Sequence, residues 1–427
     1  MGLKLNVRKS DVGALPDTWS LKELGDVSDL DAGLSKPKIV FGSGCPVVTV
    51  QDLYDGETIN VSNLKRVVVT EDEIHRYRLF KNDILIGNAS VKRDGIGYSN
   101  RFDGSLEDVI FAKYAYRARN LRSILPIYLH YVLRTTSCRQ WIISNSQTGT
   151  LTNLNKSATR AIPVLVPPLS EQAAIAAALS DVDDLLNSLN HLIIKKRNLK
   201  QAAMQQLLTG QTRISGFTGK WETKRLGELF SFSGGYSASR DQLSMQGHCY
   251  LHYGDIHGSS KSWIDTDADF HDIPKLNISL KHISKASFLE DGDVVFVDAS
   301  EDDAGTSKHV VIVNKSKKPF ISGLHTIVAK SKTDEITNEY RRYCFQISAI
   351  RRQFLFYAVG TKVTGISKRN ISKLKISLPS PAEQAAIANV LSNMDEELLA
   401  LEARREKTTL LKQGMMQELL TGKTRLI

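Results

Sequence analysis

Cysteine is scarce in this chain of 427 residues, which has only Cys45, Cys138, Cys249 and Cys344. They stand too far apart for a Cys-x-x-Cys metal knuckle, and scattered thiols in a chain of this length imply no disulfide framework, so reduced structural cysteines are expected. Long hydrophobic runs are also missing. No stretch approaches the roughly 18 apolar residues that cross a bilayer, and the opening Met1-Gly2-Leu3-Lys4-Leu5-Asn6-Val7-Arg8-Lys9 has no apolar secretory core. Asn6 occupies the place where a myristoylation signal needs Ser or Thr. A cytoplasmic protein without a membrane partner is expected.

Recognisable catalytic signatures are lacking too. The tail Leu420-Thr421-Gly422-Lys423-Thr424 imitates the end of a phosphate-binding loop, but Gln417 replaces its first glycine and no strand precedes it. It reads as a helix C-cap. Phe41-Gly42-Ser43-Gly44 is followed by Cys45-Pro46 rather than a helix, and the Asn-Pro-Pro-aromatic and Asp-Pro-Pro-Tyr tetrapeptides of amino-methyltransferases are absent. Asp298, Glu301, Asp302 and Asp303 follow a strand, as Mg²⁺-binding carboxylates of nucleases do, yet no Glu-x-Lys partner accompanies them. His248 and His252 would share a strand face around Cys249, but their spacing fits no standard zinc site. No catalytic residue and no metal ligand is assigned.

What is present is a repeat. Glu171-Gln172-Ala173-Ala174-Ile175-Ala176 returns as Glu383-Gln384-Ala385-Ala386-Ile387-Ala388, 212 positions later, and the match runs without a gap to Ile214 and Leu426. Apolar residues at Ile175, Leu179, Val182, Leu186, Leu189 and Ile193 alternate by four and three, as in a coiled coil. The second copy has Ile387, Leu391, Met394, Leu398 and Leu401, then resumes at Leu411, Met415 and Leu419. Ser380, Pro381 and Glu383 form a capping-box start, Ser170 is the candidate cap of the first copy, and Gly210 and Gly422 suit left-handed helix ends. Each copy therefore predicts a helix of ~39 residues, roughly 58 Å long at 1.5 Å per residue. Two such stripes are natural partners, and a pseudo-twofold relation between the halves requires them to be antiparallel.

The blocks around these helices repeat their frame while changing their contents. Trp19-Ser-Leu-Lys22-Glu-Leu24-Gly25 answers Trp221-Glu-Thr-Lys224-Arg-Leu226-Gly227. Asn82-Asp83-Ile84-Leu85-Ile86 answers Gly292-Asp293-Val294-Val295-Phe296, each read as a strand after an acidic turn. Tyr128 and Tyr131 answer Tyr340 and Tyr343, and both blocks close on an alternating strand leading through proline into the long helix. The expected fold is α+β: two globular mixed recognition domains, 1–169 and 215–379, and two long antiparallel helices, 170–214 and 380–427.

A net charge of +10 favours a polyanionic partner, because Lys and Arg that neutralise phosphates release condensed counterions. Lys92, Arg93, Tyr98, Asn100 and Arg101 follow a strand of the first block and combine phosphate-seeking charge with groups able to reach base edges. Lys156 and Arg160 match in position the second-block stretch carrying Lys362, Lys368 and Arg369. Ser239, Arg240 and Lys308 complete the candidate DNA contacts.

The order Trp-x-x-x-x-Leu-Gly, variable block, Pro-Pro-Leu-Ser-Glu171-Gln172 and long helix, given twice and ending in Leu-Leu-Thr-Gly-Lys-Thr-Arg, resembles the specificity subunits of type I restriction-modification systems over essentially the whole chain. The resemblance implies a non-catalytic subunit that reads double-stranded DNA, one half of a split target per recognition domain, with the helices as spacer. It also implies docking of two methyltransferase subunits, which carry S-adenosylmethionine, and of two motor-nuclease subunits in a larger complex. The dissimilar blocks predict an asymmetric target. The competing reading from composition and periodicity is a coiled-coil adaptor with two protein-binding domains.

Overall fold

The computed structural model describes residues 15–426 except 37–40, 55, 259–260, 301–307 and 361–363. The candidates Glu301, Asp302, Asp303 and Lys362 lie outside the described residues. The chain divides into two compact units: 1–191 with 403–427, and 192–402. Each unit takes one half of each long helix.

In the first unit, an antiparallel sheet runs in the order Asp29–Ala32, Ala115–Arg119, Ile84–Gly87, Ser99–Arg101. Its central strand, Ile84–Gly87, is wholly buried, as its uninterrupted apolar run requires. Asn82 before it takes φ 75°, and Asp83 accepts the Phe80 N–H at 2.8 Å, closing the expected acidic turn. A smaller mixed sheet joins Lys65–Val67, Phe41–Val48 and Ile110–Phe111. Ser20–Glu23 pairs with Pro163–Val166 and brings the opening tryptophan phrase to the start of the first long helix, Leu169–Leu207.

The second unit reuses this plan with longer strands. Its sheet has the order Phe230–Gly234, Thr326–Ser331, Val294–Val297, His309–Val313, Trp263–Asp265. Gly292 takes φ 81°, and Asp293 accepts the Glu290 N–H at 2.8 Å, so the acidic turn is built twice. Glu222–Arg225 pairs with Lys375–Leu378 and leads to the second long helix, Pro381–Leu419. A second sheet of four strands includes His248–Leu251, where the strand ends. His252 therefore leaves the face of His248 and stacks on Tyr253 with ring centroids 4.6 Å apart.

Both helices span 39 residues. In the first unit, contacts join Asp183 to Lys412 and Asn190 to Arg405. In the second, they join Lys196 to Glu397, Lys200 to Asp395 and Arg213 to Glu383. One number rises as the other falls, so the half-helices run antiparallel in each unit. Ile175, Leu179, Leu189, Ile193, Ile387, Leu391 and Leu398 are buried, while Val182, Leu186, Met394 and Leu401 are half-buried. Each domain core absorbs the start of one helix and the end of the other: Ile175 and Leu179 with Leu419 in the first unit, Ile387 and Leu391 with Met204 in the second.

Three local expectations are corrected. Leu411 is 57 % exposed, because the neighbouring Lys412 turns inward to the carboxylate of Asp183. Ser170 does not cap the first helix: the Gln172 N–H bonds to the Pro168 carbonyl, placing Ser170 in the first turn. Ser380 Oγ does accept the Glu383 N–H at 3.4 Å, but the Glu383 carboxylate bonds Arg213 instead of returning to the cap. Gly210 and Gly422 adopt φ 70° and 75° at the helix ends, where a side chain would be strained. All four cysteines are buried free thiols.

Candidate nucleic-acid interface and helix junctions

Beyond the central strand of the first unit, the chain makes a tight turn at Arg93–Gly95 that leaves Lys92 and Arg93 exposed. Tyr98 is half-buried, 5.2 Å from the Tyr54 ring, with the guanidinium carbons of Arg134 and Arg139 at 5.6 and 5.4 Å from its own. Arg134 closes the helix Pro126–Leu133, which carries Tyr128, and Arg139 lies on the next helix, Thr136–Ser144; neither is among the sequence candidates. In the strand Ser99–Arg101, Asn100 is 0 % exposed and its Oδ1 accepts the Arg101 N–H at 2.8 Å. Asn100 is thus a brace within the sheet and not a surface contact. Arg101 is half-buried and donates to Asn82 Oδ1 at 3.1 Å.

Two short helices occupy matching places before the closing strands. Lys156–Arg160 is capped by Asn155, whose Oδ1 accepts the Ala158 N–H at 2.8 Å, and Lys368–Ile371 by Ser367, whose Oγ accepts the Asn370 N–H at 3.2 Å. Lys156, Lys368 and Arg369 are exposed. Arg160 is also exposed, but donates to the Gly25 carbonyl at 3.3 Å and so ties the opening phrase to the helix. Ser239 starts the turn Arg240–Gln242, its N–H bonded to Gln242 Oε1 at 2.9 Å. Arg240 pairs with Asp255 at 3.2 Å, and Lys308, half-buried, donates to the His257 carbonyl. Both anchors lie on the short helix Tyr253–Gly258. The candidates of the second unit thus fall in two groups, one around this helix and one at Lys368–Ile371.

The Glu-Gln pair that opens each long helix is a docking joint. Gln172 Oε1 accepts the Leu125 N–H at 2.8 Å while its amide donates to the carbonyls of Ser123 and Pro167 at 2.9 and 2.8 Å. Gln384 repeats this with the Thr337 N–H at 2.9 Å and the carbonyls of Glu335 and Pro379 at 2.8 and 3.0 Å. A buried amide with its capacity so filled fixes one orientation of helix on domain. Glu171, fully buried, accepts Trp19 Nε1–H at 3.0 Å and Arg425 Nη2–H at 2.8 Å. Glu383 takes Arg213 Nη2–H at 2.7 Å, but the Trp221 ring lies 5.7 Å from that guanidinium and its Nε1 has no partner among the described residues. Sequence reading found the motif as a helix start; its reach to the far end of the other helix could be sought in the recurrence of Thr212-Arg213 and Thr424-Arg425.

About three turns further along each long helix, Tyr131 donates to Asp183 at 2.7 Å and Tyr343 to Asp395 at 2.8 Å. Lys412 and Lys200, at equivalent places of the repeat, pair with these two carboxylates. The first unit adds Glu57, contacted by Lys412 at 2.9 Å, Arg134 at 3.1 Å and His130 at 3.2 Å. Burial alone would raise the Glu57 carboxyl, yet the His130 hydrogen bond and the charges of Arg134 and Lys412 hold it down to about 2. His130 is pushed down to about 4, mainly by burial and against the pull of Glu57. It is neutral at pH 7.

Among the described residues, no three of His, Cys, Asp and Glu converge as metal ligands, and no helix is long and apolar enough to cross a membrane.

Comparison with known proteins agrees with this architecture. The family description "Type I restriction modification DNA specificity domain" matches residues 16–197 and again 218–411. The putative type I restriction enzyme MjaX specificity subunit of Methanocaldococcus jannaschii is 24 % identical, over 98 % of this chain and 97 % of its own length. The EcoKI specificity subunit of Escherichia coli is 21 % identical over 46 % of this chain and 43 % of its length. Among solved structures, the type I restriction-modification S subunit from M. genitalium is similar with a TM-score of 0.55 at 15 % identity, covering 98 % of both chains. A chain from a study of complex assembly and conformational transition of the type I system has a TM-score of 0.58 at 16 % identity, covering 96 % of this chain and all of that one.

Proposed function

The chain belongs to the family of type I restriction-modification DNA specificity subunits, and from that membership we propose that it reads a split, asymmetric DNA target and brings a modification complex to it. Blocks 1–169 and 215–379 each read one half of the site. The stretches 170–214 and 380–427 form the spacer and the docking surface. The observation that carries this reading is the contrast between them: the Glu-Gln joints and Tyr-Asp-Lys contacts are built twice from the same residues, whereas the sheets of the two blocks differ in strand number and order. A frame repeated under changing surfaces suits two heads with two different sequences to read.

A helix of ~39 residues, roughly 58 Å, exceeds one turn of B-DNA, about 34–36 Å, which leaves room for an unread spacer between two major-groove segments. Exposed Lys92, Arg93, Lys156, Arg240, Lys368 and Arg369 supply phosphate contacts, and Tyr98 with its two arginines supplies a surface for base contact. The subunit carries no reaction of its own. Two methyltransferase subunits, bringing S-adenosylmethionine, dock on the helices and domains and modify adenines at the target; two motor-nuclease subunits join for cleavage. The complex works in the cytoplasm. Sequencing of modified adenines after co-expression with the methyltransferase subunit is expected to return a two-part site with unlike halves. A continuous or palindromic site would overturn the proposal.

A further inference from the structure

The residue that follows the central strand is held by the same backbone frame in both units, yet its side chain differs. In the first unit it is Asn88: its N–H donates to the Tyr114 carbonyl at 2.8 Å and its carbonyl accepts the Leu154 N–H at 2.9 Å. In the second it is Asp298: its N–H donates to the His325 carbonyl at 3.1 Å and its carbonyl accepts the Ile366 N–H at 2.7 Å. The next two residues are Ala-Ser in each case. Ala89 and Ser90 pair with Asn153 and Thr152, and Ala299 and Ser300 with Gly365 and Thr364. Tyr114 and His325 both adopt left-handed backbone, φ 77° and 59°, a conformation that bulky side chains rarely take. Such strain, kept twice while the residues change, points to a position retained for what it presents.

The chemistry presented suits bases. Asn88 is half-buried beside the exposed Tyr114, and its amide makes no side-chain hydrogen bond among the described residues. Asp298 lines a cleft of about 510 Å³ with His325, Val359, Ser367 and Asn370. Its Oδ1 lies 3.4 Å from His325 Nδ1 and has no well-aimed hydrogen bond there or elsewhere among the described residues. Burial pushes the Asp298 carboxyl up, and His325 and the charge of Lys368 pull against that shift. Lys156 is the equivalent cation of the first unit, also at the start of a capped short helix.

We propose that this strand-end position is the base-reading position of each unit: Asn88, beside Tyr114, recognises an adenine through its amide, and Asp298, beside His325, recognises the exocyclic amino group of a cytosine. Asn offers the paired donor and acceptor that match adenine N7 and N6, and a carboxylate accepts from cytosine N4. The inference rests on the DNA-reading function above and assigns residues to it.

The test is selection from a pool of randomised duplexes by the full chain with its methyltransferase partner, for the wild type, Asn88→Asp and Asp298→Asn. Asn88→Asp is expected to move the preference at one base of one half-site from adenine to cytosine. Asp298→Asn is expected to move one base of the other half-site in the opposite sense. Each shift should be about tenfold or more. His325→Ala, at an exposed ring, should weaken discrimination at the Asp298 base even where the charge-changing variant folds poorly. A wild type that enriches no sequence defeats the DNA-reading function itself. A two-part wild-type motif that all three variants leave unaltered defeats this assignment alone.

Discussion

Glu171 and Glu383 are equivalent carboxylates, each joined to an arginine near the end of the other long helix. Removing the charge of a buried acid leaves its arginine and the other donors aimed at it without their acceptor, which loosens that joint. Glu171→Gln should therefore raise amide exchange in the first unit and Glu383→Gln in the second. Equal loosening of both units by either variant would contradict their independence. His130 gives a pH dependence of definite sign. Its proton affinity is lowered on folding, so protons favour the unfolded chain, and stability is lost as pH falls from about 6.5 toward about 4. Between pH 7 and pH 5 the loss is about 2 kcal/mol, and Glu57, held at about 2, adds its own loss only below about 4.5. Calorimetry of the wild type and His130→Gln at both pH values checks this; an equal fall in the two proteins would rule His130 out. None of this was visible along the chain, because Glu57, His130 and Lys412 meet only in the fold. Asn100 shows the same limit: its residue type suggested a base contact, and the fold buries it.

At the scale of elements, the long helices were the most legible part of the sequence. Their stripes, proline starts and glycine ends are local signals, and both predicted lengths match the 39 residues observed. The periodic reading failed at Leu411, since which side chain faces inward there depends on Asp183 across the helix pair. The paired strands that close each domain were equally readable, through alternation ending in proline. The strand-end positions at Asn88 and Asp298 were not, because their frames are completed by Tyr114 and His325 from distant segments. If the helices act as a ruler, seven residues added to both, after Leu192 and after Glu402, lengthen the pair by about 10 Å. The unread spacer should then grow by about three base pairs, as read from the modified sites. The same insertion in one helix alone puts the two helices out of register at the point of insertion, and should weaken target recognition. An unchanged spacer after the double insertion would argue against the ruler.

At the scale of the whole molecule, the duplication and the excess of basic residues were readable at once, and they led to two reading heads on one scaffold. What remained hidden was the division of each long helix between two compact units, so that each head closes its core with both helices. The central claim is that the two variable blocks read independently while the repeated helices set their spacing. It is tested most directly by replacing residues 215–379 with the corresponding block of another family member and sequencing the adenines modified by the resulting complex. The account predicts that one half-site is exchanged while the other half and the spacer length are kept. A change in both halves together, or in neither, would contradict it.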